Sequence, residues 1–299
     1  MTTPAIHALK NSGRGRRLTL LTSRSGAQAA PFIPDIDEVL CFDAPWVKHP
    51  VPPAPDASLD LRALIGSRKF DAAAIFTVYS QSPLCTALLC YLAGIPLRLA
   101  HCRENPYHLL TDWVKETEPA AGIRHEVQRQ LDLLAAVGIQ TADEHMRFSV
   151  SARAERAVDR LLTEAQVDDA LPLVVLHPGA SAASRRYPVE RYAAVARQLP
   201  ALRKCRLIVT GSNDERALTQ TVCAGANKDA AIDFAGKLDV GQLGALIARA
   251  DLLISNNTGP VHIASAVGTP VVDLYALTNP QHTPWQVPNR VLFRDVECR

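Results

Sequence analysis

No apolar run in the 299-residue sequence approaches the ~20 residues that a membrane-spanning helix needs. The opening Met1-Thr2-Thr3-Pro4-Ala5-Ile6 lacks the charged-then-apolar order of a signal peptide, so a cytoplasmic location is the default expectation. The seven cysteines (Cys41, Cys85, Cys90, Cys102, Cys205, Cys223 and Cys298) are scattered, odd in number and without a Cys-x-x-Cys pair. They read as reduced, mostly buried thiols rather than a disulfide framework or a metal site. There is no Gly-x-Gly-x-x-Gly and no Walker loop, which argues against a dinucleotide or an ATP-hydrolysing enzyme. Net charge is only +2 and no basic block stands out, so no nucleic-acid partner is expected. Aromatic residues make up 5%, too few for a long carbohydrate groove walled by stacked rings. No Asp/His cluster suggests a metal, and no cofactor is expected. What is present is 47% apolar and 21% charged residues, enough for a packed core, in a chain long enough for two domains.

The pattern along the chain is strand, turn, helix, repeated. In the first half, Arg17–Thr22, Glu38–Phe42 and Phe70–Val78 read as strands. Leu59–Ser67, Pro83–Ala93 and Ile123–Val137 read as helices, with a Pro-rich loop over Pro45–Pro55. From Leu171 the alternation becomes regular: apolar strands at 173–176, 206–210, 231–234, 251–255 and 270–275, with helices between them. Continuous apolar strands alternating with helices mean parallel sheets covered on both faces. The charge-rich helix Glu155–Gln166 and the polar link Val167–Pro172 place the boundary between residues 1–166 and 167–299. Two such sheets would face a cleft at the carboxyl ends of their strands, where open α/β sheets bind ligands.

Three strand ends carry polar residues. Ser255-Asn256-Asn257-Thr258-Gly259-Pro260-Val261-His262 leaves a strand and opens a helix, with a hydroxyl at Thr258, bare backbone at Gly259 and Pro260 in the first turn. Such a start favours an anion, although an Asn cap and a packing histidine would also account for it. His177-Pro178-Gly179-Ala180-Ser181 through Arg185-Arg186-Tyr187-Pro188 offers close backbone approach at Gly179, a donor at Ser181 and a forked cation at Arg185. Solvated arginines on a plain loop are the alternative. Thr210-Gly211-Ser212-Asn213-Asp214-Glu215 could accept from a ribose or base, or simply cap a helix. Together they suggest a nucleotide site. In the first half, Asn105–His108 and Arg124-His125-Glu126 either face an acceptor or are solvated helix starts.

The run from His177 to Pro188, then Gly236-Lys237-Leu238, then Asn257-Thr258-Gly259-Pro260-Val261-His262-Ile263-Ala264 through Gly268-Thr269-Pro270-Val271-Val272 resembles the bacterial ADP-heptose:lipopolysaccharide heptosyltransferases, glycosyltransferase family 9. The resemblance covers most of 171–285 and, more loosely, Met1–Lys10 and His125–Gly138. It implies the α/β GT-B fold, two Rossmann-like domains with parallel sheets facing a central cleft. The second domain would bind a nucleotide-sugar donor such as ADP-heptose. The first would bind a lipid-linked oligosaccharide acceptor, the lipopolysaccharide core, at the inner membrane surface. By position, Ser181 and Arg185 would touch the diphosphate, Arg185 standing where many members have lysine. Glu215 would hold the ribose, and Thr258, Gly259 and His262 would line the diphosphate and sugar. Asn257 stands where many members have aspartate, leaving hydrogen bonding without charge.

Family members usually begin with a strand and a Gly-Asp loop before a helix like Thr2-Thr3-Pro4-Ala5-Ile6. The expected catalytic Asp base therefore lies upstream of Met1, no catalytic residue is assigned within the chain, and the end is also expected to be short. Two other readings stand beside transfer of a heptose by inverting displacement: another GT-B nucleotide-sugar enzyme, with a different donor sugar or an epimerase, and a catalytically silent nucleotide-sugar-binding protein.

Overall fold

The computed structural model describes residues 1–47, 54–167, 170–226, 230–276 and 280–293. Part of the Pro-rich loop, Asp168 and Asp169 of the polar link, and Cys298 lie outside them. The residues pack into two compact units, Met1–Glu144 and His145–Arg299.

In the first unit, helix α1 (Thr3–Asn11) precedes strand β1 (Thr19–Thr22), helix α2 (Arg24–Ala29) and strand β2 (Glu38–Cys41). There follow α3 (Pro55–Arg68), β3 (Ala72–Ile75), α4 (Leu84–Leu92), β4 (Leu97–Cys102), β5 (Asp112–Lys115) and α5 (Glu126–Ala135). Strands β1 and β2 pair in parallel, and β3, β4 and β5 form a three-stranded parallel sheet in that order. The buried side of this unit includes Leu61, Ile65, Ala87, Leu89 and Ala100.

Strands β4 and β5 are additional to those expected. The first carries Arg98 and His101, which break the apolar run, yet both are buried. Backbone carbonyls meet the Arg98 guanidinium and one ring nitrogen of His101: Arg98 Nε donates to Leu109 O at 2.8 Å, and His101 Nε2 lies 3.1 Å from Arg129 O. A buried polar group satisfied in this way does not incur the full desolvation penalty.

The second unit begins with α6 (Ala152–Glu164) and continues as β6 (Leu173–His177), α7 (Val189–Leu202), β7 (Arg206–Val209), α8 (Arg216–Gly225), β8 (Ala231–Asp233) and α9 (Val240–Arg249). It ends with β9 (Leu252–Asn256), α10 (Gly259–Val267), β10 (Val271–Leu274) and β11 (Asn289–Leu292). The division between units falls after Glu144, earlier than the expected 166/167. Helix α6 shows why: Ala154, Val158 and Leu162 repeat every fourth residue, are buried, and join the core formed with Leu246, Ile247 and Leu253. Its charge is only the outward face of an amphipathic helix.

Among the described residues the second unit has six strands, all parallel, in the order β11-β10-β9-β6-β7-β8. Alternate residues of each strand feed different faces. Leu173 and Val175 join one core, whereas Val174 and Leu176 pack with Tyr192 and Ala196 in the other. Leu176, Leu207, Ile208 and Leu253 are completely enclosed. Burying each such side chain stabilises the fold by about 1.5–3 kcal/mol relative to leaving it in water. No helix of the described residues is long and apolar enough to cross a membrane.

Candidate functional site

From β6 the chain runs to β7 and β8 on one side of the sheet, then returns to β9 beside β6 and runs to β10 and β11 on the other. The order reverses between β6 and β9, where His177 pairs with Ser255. At such a reversal the two outgoing loops turn apart, and the crevice between them is where open α/β sheets hold ligands. Here those loops are 178–182 and 257–258.

A residue to which the sequence reading gave no role joins the two loops. Asn256, the last residue of β9, is fully buried. Its Nδ2 donates to Pro178 O at 2.7 Å and Gly179 O at 3.2 Å, and its Oδ1 accepts from Tyr187 N at 2.9 Å. Both its amide nitrogen and its oxygen are bound to the backbone of the segment that follows β6. Tyr192 adds a bond from its hydroxyl to His177 O at 3.3 Å.

Thr258 is the cap residue of α10, in extended conformation. Its hydroxyl does not cap the helix but donates to Asn256 O at 3.2 Å. Pro260, at the helix start, has no N–H to give. A side-chain carbon placed on Gly259 would meet nothing within 4 Å. The glycine is therefore not required by the protein's own packing, and the helix start opens onto free space. First-turn N–H groups and the helix dipole make that space favourable to an anion. His262, one turn in, is half-buried.

On the segment that leaves β6, Ser181 and Arg185 are both exposed. The two neighbouring arginines differ. Arg186 Nε is bound to Ala180 O at 2.8 Å, holding the loop, while the Arg185 guanidinium bonds to none of the described residues.

Glu215 stands at the end of β7. It closes a capping box with Ser212, its Oε2 accepting from Ser212 N at 2.9 Å. Its carboxylate also lies against the α-carbon of Gly179: a side-chain carbon there would fall 2.2 Å from Glu215 Oε1. At this glycine, unlike Gly259, a side chain would have to push the Glu215 carboxylate aside. Nearby His177 bonds through Nδ1 to Thr210 Oγ1 at 3.0 Å. Burial pushes its imidazole below the ordinary range, and the Glu215 carboxylate pulls the other way.

Asn257 points to the other side of β9 from Asn256. Its Nδ2 donates to Asp273 Oδ2 on β10 and to His282 O, each at 2.8 Å. Asp273 is fully buried, and burial raises its pKa to about 6 despite the hydrogen bond from Asn257. Ser181, Arg185, Glu215, Thr258, Gly259, His262 and Asn257 thus all lie on the loops, or in the first turn of the helix, that leave the carboxyl ends of β6, β7 and β9.

Of the two polar clusters of the first unit, Asn105, Tyr107 and His108 are exposed, whereas Arg124-His125-Glu126 is tied into the fold. Glu126 and Arg129 are buried, with Arg129 in an ion pair to Glu116 and donating to Thr77 O. Arg124 bonds Glu118 and Asp132, each at 2.6 Å, and His125 caps α5 by accepting from Val127 N. Burial raises the Glu126 carboxyl above its usual range, opposed by hydrogen bonding from Gln130 and the charge of Arg129.

The sequence profile of glycosyltransferase family 9 (heptosyltransferase) matches residues 60–298. Among curated proteins, the chain is 30% identical over 149 residues to a lipopolysaccharide core heptosyltransferase, OpsX, of Haemophilus influenzae, covering 49% of this chain and 41% of that one. The chain spans about half the length of the curated relatives it matches. Among solved structures, a family 9 glycosyl transferase from Veillonella parvula superposes with a TM-score of 0.80 at 20% identity, covering 97% of this chain and 81% of that one. The Escherichia coli ADP-heptose heptosyltransferase II superposes at 0.75 and 19% identity, covering 97% and 85%. These likenesses show the fold, α/β of the GT-B kind with two Rossmann-like units of parallel strands. Because the profile spans four-fifths of its length, the chain belongs to glycosyltransferase family 9, the heptosyltransferase family.

Proposed function

We propose that this chain binds ADP-heptose at the β6–β9 reversal and transfers the heptose, with inversion, to a lipopolysaccharide core acceptor. One observation carries the reading: the loops that leave the β6–β9 reversal combine an open helix start at Thr258-Gly259 with an exposed Arg185 whose guanidinium bonds to none of the described residues. A diphosphate placed there meets N–H groups on one side and a forked cation on the other. Ser181 adds a hydroxyl donor, Glu215 accepts from the ribose hydroxyls, and His262 lies towards the sugar. The names of the relatives support ADP-heptose as donor and lipopolysaccharide as acceptor. The reaction then takes place in the cytoplasm, with the lipid-linked acceptor presented at the inner membrane surface.

In the transfer, an acceptor hydroxyl loses its proton to a base and attacks the anomeric carbon from the face opposite the diphosphate. The new carbon–oxygen bond forms as the bond to the phosphate oxygen breaks, and negative charge passes to the leaving ADP. Donors already aimed at that charge lower the barrier, each contributing about 3 kcal/mol in comparable sites.

Calorimetry with ADP-, UDP- and GDP-sugars tests the reading. ADP-heptose should bind most tightly, and Arg185→Ala should weaken it by about 1.5–3 kcal/mol, the worth of a charge-assisted hydrogen bond. Preference for a UDP- or GDP-sugar would replace the donor, and an unchanged affinity in Arg185→Ala would remove that residue from the site.

A further inference from the structure

Asp273 is an unusual residue for its place. It sits on β10, between β9 and β11, opposite Ser255, in a strand otherwise made of Val271, Val272 and Leu274. It is fully buried and has no cationic partner among the described residues. A carboxylate so placed works against stability, which calls for a compensating role. Among the described residues its side chain has one hydrogen bond, from Asn257 Nδ2 to Oδ2, and its Oδ1 is without a partner. The titratable side chain that registers its charge is that of Tyr192 on α7.

Asn257 is held in one orientation. Its amide nitrogen carries two hydrogens, and these go to Asp273 Oδ2 and to His282 O, neither of which can donate when the carboxyl is ionised. The nitrogen must therefore face inward, and the carboxamide cannot be turned over without setting oxygen against oxygen twice. Asn257 Oδ1 consequently looks the other way, and no described residue donates to it. The loop that carries it opens α10 one residue after Thr258.

Along the carboxyl edge the strands follow in the order β7, β6, β9, β10. Glu215 stands at β7, Gly179 at β6, the open helix start at β9, and Asn257 between β9 and β10. Adjacent strands are about 4.8 Å apart, so this row spans about 14 Å, room for a nucleoside, a diphosphate and a sugar laid in sequence. The diphosphate belongs at the helix start, which leaves the β9–β10 end for the sugar. A fixed oxygen acceptor there repels phosphate and carboxylate and receives a hydroxyl.

We propose that Asp273 is a positioning residue of the donor site, which locks the Asn257 carboxamide so that Oδ1 is presented as a permanent acceptor for a hydroxyl of the donor's sugar. This rests on the proposed ADP-sugar donor. Asp273 acts through Asn257 and touches no substrate.

The test compares ADP and ADP-heptose binding by calorimetry in the wild-type chain, Asp273→Asn, Asn257→Leu and the double variant. Asp273→Asn keeps the shape but offers Asn257 a donor as well as an acceptor, so the lock is lost. Each single change should weaken ADP-heptose about 3- to 10-fold, the worth of one neutral hydrogen bond, and leave ADP unchanged. The double variant should lose no more than Asn257→Leu alone, since without that carboxamide Asp273 has nothing to position. A role in packing alone would instead weaken both ligands or add to the loss in the double variant, and either result overturns the inference. So does Asp273→Asn binding ADP-heptose as the wild type does. A wild-type chain that binds ADP-heptose no better than ADP sinks the proposed donor itself, whereas a wild-type preference that Asp273→Asn leaves intact sinks only the lock.

Discussion

The Asn256 side chain donates to the carbonyl oxygen of Pro178, a residue 78 positions away, and thereby ties together the two loops that diverge from the sheet's reversal point. With Tyr187 N bound to the same carboxamide, one buried side chain fixes three backbone groups. Asn256→Ala leaves those groups without partners in a buried place. It should lower stability by about 2–4 kcal/mol, since each buried orphan costs about 1–3 kcal/mol and water enters to meet part of the loss. Chemical denaturation measures this. A loss below about 0.5 kcal/mol, the range of an ordinary surface change, would show that the loops hold their positions without the staple.

Strands β6, β7 and β9 are legible as apolar runs between polar turns, and β10 despite Asp273, because Val271, Val272, Leu274 and Tyr275 flank it. Strand β4 is not, because Arg98 and His101 interrupt the run and backbone carbonyls outside the strand make their burial tolerable; β5, Asp112-Trp113-Val114-Lys115, is too short and polar to stand out. The two asparagines read as one polar loop, yet strand alternation separates them: Asn256 follows Ile254 to one face, Asn257 follows Leu253 and Ser255 to the other. That signal was available, and was missed because β9 continues one residue further than its apolar run. Asp273 had no local signal at all. Its partner, Asn257, is 16 positions away and becomes visible only when β10 is laid beside β9.

Gly259 and Gly179 should respond in opposite ways. Around Gly259 there is open space, so Gly259→Val should leave the unfolding temperature within a few degrees of the wild type, equivalent to under about 1 kcal/mol. Its side chain would stand where the diphosphate approaches, so ADP binding should be lost. Normal ADP binding by this variant would move the anion site away from the start of α10.

At Gly179 a methyl group would overlap the Glu215 carboxylate. Gly179→Ala should displace Glu215 and break its capping box with Ser212, at about 1 kcal/mol, the usual cost of losing a cap. Donor affinity should fall with it, since the displaced carboxylate no longer faces the ribose. If the two residues act through this one contact, adding Gly179→Ala to Glu215→Ala should cost little more than Glu215→Ala alone. Full additivity of the two changes would contradict the contact.

Asp273 also makes a prediction about pH that needs no ligand. Burial raises its pKa from 3.8 to about 6, the Asn257 hydrogen bond only partly offsetting it. Between those values the folded chain holds a proton that the unfolded chain has released, so stability falls as pH rises through the interval. Below about pH 4 both states are protonated and the residue is neutral in its effect. Above about pH 6 both are ionised and the folded state bears the whole cost, about 3 kcal/mol for a difference of roughly two units. Asp273→Asn cannot ionise and escapes that cost. Other groups bend the absolute curve: His177, held below its ordinary range by burial, destabilises the fold on the acid side. The informative quantity is therefore the stability of Asp273→Asn minus that of the wild type, measured by urea unfolding at each pH. This difference should climb by about 1–3 kcal/mol between pH 4 and pH 6 and stay level above. A chain made more stable yet poorer at holding the donor's sugar is what a residue kept for positioning predicts. A difference flat across the range would mean that Asp273 keeps its ordinary acidity in solution and is not the buried, weakly partnered carboxylate described here.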